Sequence, residues 1–140
     1  MITSLSEAEA TEVLKRGRLG RLGCITEEGP YVVPMTYIFE GDAIYSHTLQ
    51  GLKVTALHSD PRVCLQTDEI EGELRWKSAI AFGVYEEITD AETRAWVVRR
   101  FLTRFPNLTP VESVPTPEAP SDIVVFKIRI ERVTGRAEAP

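Results

Sequence analysis

The residues best suited to chemistry fall in two stretches of the 140-residue chain. In YSHTLQGLKV, Ser46, His47 and Thr48 offer two hydroxyls and an imidazole just before Gly51 and Lys53. Gly51 lets an anion approach the backbone, and Lys53 falls in the first turn of the helix expected to follow. A helix start presents free N–H groups and a partial positive charge, so this spacing suits a phosphate. A loop ending in a solvated lysine has the same spacing, and spacing alone leaves both readings open. His47 is the one nearby side chain whose ordinary pKa, about 6.5, suits proton donation at neutral pH. It is therefore the candidate catalytic acid or phosphate partner.

Upstream, VVPMTYIF sets Pro34, Met35, Thr36 and Tyr37 in a strand-like run. Pro34 lacks an N–H and cannot sit in a strand paired on both sides, which predicts an interrupted ladder there. Backbone groups freed by the interruption could meet the edge of a planar heterocycle. An edge strand that tolerates proline is the plainer alternative, and the proline alone favours it. Other patterns carry less. GRLGRLG follows a helix and enters a strand, the reverse of a dinucleotide fingerprint, so Gly17 is expected to stop the helix while Gly20 and Gly23 relieve crowding or bulge a curved strand. His47, His58, Cys24 and Cys64 lack metal-ligand spacing, no G-x-S-x-G elbow is present, and both cysteines read as reduced core residues.

These candidates need elements to hold them. A capping box from Ser6 to Glu9 opens a helix with the stripe Ala10, Val13 and Leu14. Residues 19–26, 31–39 and 43–47 read as a three-stranded meander, and residues 51–58 as a short helix ended by Asp60 and Pro61. A strand over 62–67 and an acidic turn over 68–73 lead to a strand over 76–88. In that strand Trp76, Ser78, Ile80, Phe82 and Val84 share one face, and Ala79, Ala81, Gly83 and Tyr85 the other. Thr89 and Glu92 suggest a second capping box, for a helix striped by Ala91, Ala95, Val98, Leu102 and Phe105. A proline-rich connection over 107–120 and a closing strand over 121–133, with Val124, Phe126, Ile128 and Ile130 inward, complete the chain. About six strands with inserted helices and no regular βαβ period predict a mainly β fold, an antiparallel β-barrel in one domain spanning residues 1–140.

The formal charge of -5 gives no broad electrostatic footprint for nucleic acid. No run approaches the roughly 18 apolar residues of a membrane span, and MITSLSEAEA has no basic region followed by an apolar stretch, so a cytoplasmic protein is expected.

Taken in order, P-M-T-Y, Y-S-H-T-x-x-G-x-K, D-P-R-V and W-K-S-A-I-A-F-G resemble the pyridoxamine 5'-phosphate oxidase-like flavoproteins, especially the branch of nitroimidazole-resistance proteins. The resemblance implies a six-stranded split β-barrel that binds flavin mononucleotide (FMN) at the interface of a homodimer. It implies that Pro34 to Tyr37 line the isoalloxazine ring, that Ser46, His47, Thr48 and Lys53 serve the phosphate or ring face, and that Ser78 is a polar flavin contact. Trp76 and the small face of its strand are then expected to contribute from the partner chain, and Arg18 or Arg21 to help at the phosphate. The chain ends without the C-terminal substrate-binding segment of the vitamin oxidases, which argues against vitamin oxidation. A reductase or oxidoreductase of small aromatic or nitro compounds is the expected activity, with hydride passing through flavin N5. The alternatives are a flavin-binding sensor, storage or electron-transfer module, or a deazaflavin- or haem-binding relative.

Overall fold

The computed structural model describes residues 1–106 and 123–140, so the expected connection over 107–120 lies outside the described residues. Strand β1 (Ile2–Ser4) precedes helix α1 (Glu7–Arg16). The expected capping box starts that helix: the Glu9 N–H donates to Ser6 Oγ and the Ser6 N–H to Glu9 Oε1, each at 3.1 Å. Strands β2 (Leu19–Thr26) and β3 (Gly29–Thr36) form a hairpin across Glu27 and Glu28, and β4 (Ile38–Glu40) and β5 (Ala43–Leu49) form a second. Helix α2 (Leu52–Ser59), strands β6 (Arg62–Gly72) and β7 (Arg75–Glu87), helix α3 (Ala91–Arg104) and strand β8 (Ile123–Glu138) follow.

Every pairing is antiparallel, and the strands lie in the order β3-β2-β6-β7-β8-β5-β4, with β1 against β8. β3 and β4 end this row on opposite sides, yet Tyr37 alone separates them along the chain. The sheet must therefore curl until its two ends meet at Tyr37, giving a barrel split between β3 and β4. Two hydrogen bonds pin the seam: Tyr37 N–H to the Arg18 carbonyl at 3.1 Å, and Ser46 Oγ to the Thr36 carbonyl at 2.6 Å.

The fold class is the expected one, a mainly β antiparallel split barrel, but its strands differ in detail. The expected meander is two hairpins at opposite ends of the sheet, because the run over 31–39 breaks at Tyr37. The strand count among the described residues is eight, with β1 unforeseen and the broken run counted twice. The expected acidic turn shrinks to Glu73 and Leu74. Asp68 and Glu69 stay in β6 opposite Ser78 and Lys77, where Arg21 and Arg16 pair with their carboxylates. Asp90, not Thr89, caps α3: its Oδ2 accepts from the Thr93 N–H at 2.9 Å.

Inside the barrel, Leu22, Ile44, Leu65, Ala79, Ala81, Phe126 and Ile128 pack with Ala10, Val13 and Leu14 of α1. Each fully buried leucine or isoleucine there contributes roughly 1.5–3 kcal/mol. The small face of β7 thus turns inward. Helix α3 covers the outside of β5 and β8, where Val97, Val98, Phe101 and Phe105 pack on Ile38, Ile88 and Val125. The buried stripe is set by that contact, so Phe101 is inside and Leu102, expected inside, is 41% exposed.

Candidate functional site

The barrel wall sorts the eleven predicted site residues into separate surfaces. Pro34, Thr36, Trp76 and Ser78 belong to the outer side of the sheet. Cross-strand pairing connects them through Pro34 to Arg21, Arg21 to Gln66, Asp68 to Ser78, and Ser78 to Arg136. Pro34 does not interrupt a ladder: the register of β3 on β2 runs unbroken from Leu19 opposite Thr36 to Thr26 opposite Gly29. β3 is an edge strand, so the missing N–H of Pro34 costs no hydrogen bond, and the plainer alternative holds.

Met35 and Tyr37 belong to the core instead. The Tyr37 phenol donates to the Leu14 carbonyl at 2.6 Å, one of the carbonyls left over at the end of α1, and burial pushes its pKa up to about 12. The Tyr37 side chain is therefore corrected from ring contact to core residue; only its main chain remains at the seam. Gly17 serves the same arrangement. Its φ of -66° is open to any residue, but a Cβ there would collide with the Tyr37 hydroxyl and touch Thr67. Space for Tyr37, rather than a left-handed cap, requires the glycine.

His47 does not converge with Ser46 and Thr48: successive strand residues point to opposite faces, so Ser46 and Thr48 share one face of β5 and His47 lies on the other. Ser46 is buried on the barrel side and its hydroxyl is committed to Thr36. His47 points to the α3 side, its ring 5.0 Å from that of Phe101, and its Nε2 is buried without a hydrogen-bond partner among the described residues. Burial, helped by the charge of Lys53, pushes its pKa down to about 4. The expected acid with an ordinary pKa is thus corrected: at neutral pH His47 is a neutral imidazole in an apolar cluster and cannot act as an imidazolium donor.

Gly51 is the N-cap of α2 and makes no side-chain cap bond, so among the described residues the first N–H groups of that helix are left open. A Cβ at Gly51 would meet nothing within 4 Å, which leaves room beside those donors. Lys53 follows in the first turn, partly buried, and burial holds its pKa below the ordinary lysine value. It has no ion-pair partner among the described residues. A partly desolvated ammonium beside open N–H groups, with no carboxylate to balance it, fits an anionic group such as a phosphate. Neither expected helper joins it: Arg18 lies over the Phe105 ring at 4.6 Å, and Arg21 reaches Asp68 at 3.4 Å on the outer wall.

The outer wall carries a hollow of about 460 Å³, within the range of small-molecule sites. Trp76, Ser78, Ile80, Thr134 and Arg136 line it. The Trp76 indole N–H donates to Glu138 Oε2 at 3.0 Å, which fixes its ring plane. Gln66 Nε2 donates to Ser78 Oγ at 3.0 Å and to Asp68 Oδ2 at 3.1 Å, so the Ser78 hydroxyl keeps its own hydrogen to donate. Gln66, Thr134, Arg136 and Glu138 were missed as site residues. The signal lay in the alternation of RVTGRAE, which sets Arg132, Thr134, Arg136 and Glu138 on one face.

The family model described as pyridoxamine 5'-phosphate oxidase matches residues 6–137. An uncharacterized protein of Rhizobium meliloti strain 1021 is 31% identical over 143 aligned positions, covering 95% of this chain and 93% of that protein. The crystal structure of a FAD-binding protein from Mesorhizobium loti superposes with a TM-score of 0.83 at 32% identity, covering 99% of each chain. A candidate 5-nitroimidazole antibiotic resistance protein from Bacteroides thetaiotaomicron shares the fold, with a TM-score of 0.79 and 21% identity over 98% of this chain and 89% of that one. Nearly the whole chain matches, and the chain belongs to the pyridoxamine 5'-phosphate oxidase family.

Proposed function

We propose that the protein binds FMN and acts as a flavin-dependent reductase or oxidoreductase of small aromatic or nitro compounds, as a cytoplasmic homodimer with flavin at the two-fold interface. The observation that carries the flavin assignment is the unbalanced Lys53 ammonium beside the open start of α2. The flavin class is further supported by the Mesorhizobium loti FAD-binding protein, similar over 99% of both chains. The dimer is supported by the outer wall, where Val32 is 68% exposed and Ile80 and Phe82 are half-buried. Lys53 is not among the residues that line the hollow at Trp76, so a second copy is the element that would complete a shared site.

A bound flavin supplies hydride transfer at N5. The chain supplies the rest: Gly51 and Lys53 hold the phosphate, the Trp76 wall excludes water, and Ser78 donates a hydrogen bond to the ring edge or the acceptor. His47 contributes apolar packing beside Phe101, and its lowered pKa makes it a poor proton donor at neutral pH.

That property of His47 also favours a second reading, a flavin-binding electron-transfer or sensor module without dedicated turnover. Two measurements separate the possibilities. The absorption spectrum of the purified protein, with titration by FMN, FAD and riboflavin, tests the cofactor; absence of both a yellow chromophore and flavin uptake overturns the assignment. Reduced protein mixed with nitroimidazoles or nitrofurans then tests turnover, because an idle flavin is reoxidised no faster than free flavin.

A further inference from the structure

β3 and β5 meet at the seam, yet no ladder joins them among the described residues. The Tyr37 N–H donates to the Arg18 carbonyl, and hydrogen-bonded pairs recur at every second position of an antiparallel ladder, so Met35 and Val33 exchange main-chain bonds with Gly20 and Leu22. Val32, Pro34 and Thr36 therefore turn their main-chain groups away from β2, towards the seam. The Thr36 carbonyl is met there by Ser46 Oγ at 2.6 Å. In the second hairpin, the Gly41–Asp42 turn closes on Glu40 opposite Ala43, and the hydrogen-bonded series continues to Ile38 opposite Tyr45. The same register carried further would set Thr36 opposite His47 and Pro34 opposite Leu49. β5 does run on to Leu49, which pairs with Ile123 of β8, but its ladder on the other side stops at Tyr45.

From this juxtaposition we infer that Pro34 is a wedge that keeps the barrel split, by denying β5 the strand pairing that would zip the seam shut. The missing pair needs an N–H at residue 34 for the Leu49 carbonyl. Proline offers a ring methylene there, which removes the donor and crowds the acceptor. The Leu49 carbonyl is met instead by the hydroxyl of its own neighbour Thr48, at 3.5 Å. Because Pro34 costs no bond on its β2 side, its effect falls on the seam alone. The unzipped edge of β5 leads towards Gly51 and Lys53 at the start of α2. This role of Pro34 goes beyond the proposed activity and is independent of the flavin reading.

Amide hydrogen exchange, resolved by residue with NMR, tests it. In the natural protein the Leu49 N–H, facing the seam, should exchange at least about tenfold faster than that of Thr48, which faces β8. Pro34→Val and Pro34→Ala restore the donor, and in both the Thr36, His47 and Leu49 amides should slow by about three- to tenfold, as expected for added main-chain hydrogen bonds. Pro30→Val is the control: Pro30 also turns its missing N–H away from β2, but the register sets it opposite Lys53, which lies in α2 and cannot join a ladder. Amides of β6 and β7 report from the same spectra that each variant is folded. Equal protection of Leu49 and Thr48 in the natural protein, unchanged exchange at Leu49 in both Pro34 variants, or the same slowing in Pro30→Val overturns the inference.

Discussion

Acidification gives a sharp test of how His47 is held. In the folded protein its pKa is pushed down to about 4, against 6.5 for an ordinary histidine. Between those values the unfolded chain binds a proton that the native state refuses. Stability therefore rises with pH across this window and is lost as pH falls from about 6.5 towards 4. The full interval corresponds to roughly 3 kcal/mol, at about 1.4 kcal/mol per pKa unit, and on going from pH 8 to pH 5 about 2 kcal/mol of it should already be gone. Other groups titrate in the same range, so the quantity to measure is the difference between the natural protein and His47→Leu, which cannot protonate and keeps the apolar contact with Phe101. Urea unfolding of both proteins at pH 8 and pH 5, at matched ionic strength, protein concentration and flavin occupancy, isolates the term. The natural protein should lose about 2 kcal/mol more than the variant. Equal losses would mean that His47 titrates normally, and would return it to candidacy as the acid.

Lys53→Ala should weaken FMN by about 10- to 100-fold, as expected for loss of one charge-assisted partner, and leave riboflavin unaffected; equal losses for the two would contradict the phosphate assignment. Gly17→Ala should destabilise the fold by about 2–4 kcal/mol, because its Cβ displaces the buried Tyr37 hydroxyl. Combined with Tyr37→Phe, which removes the colliding oxygen, the cost should be at least about 1 kcal/mol less than the sum of the single changes, and strict additivity in urea unfolding would refute the coupling. Trp76→Ala should raise the dimer dissociation constant on the order of 30-fold in sedimentation experiments if the outer wall forms the interface, and an unchanged distribution would exclude it.

Short-range chemistry was legible in the linear chain. Ser6 and Glu9 specify the start of α1 through bonds three residues apart, and strict alternation in β7 separates the Trp76 face from the Ala79 face. The open start of α2 at Gly51 and Lys53 is equally local, and the ordered motifs were enough to reach the family. What was not legible depended on partners distant in sequence. Alternation cannot say which face of β7 turns inward; α1 and the curl of the sheet decide that. The break at Tyr37 exists because two sheet ends meet there and its hydroxyl reaches Leu14, 23 residues away. The acidic stretch after Thr67 stays in β6 because Arg16 and Arg21 arrive from other elements. His47 has the residue type of an acid, yet its protonation is governed by the desolvation that α3 imposes, a property of the packed structure alone. Residue identities and near-neighbour spacing thus determined most of the elements, the family and the open helix start at Gly51 and Lys53, whereas tertiary packing decided which side chains face the outer wall, the core or a neighbouring helix, because burial and charge pairing are set across the fold.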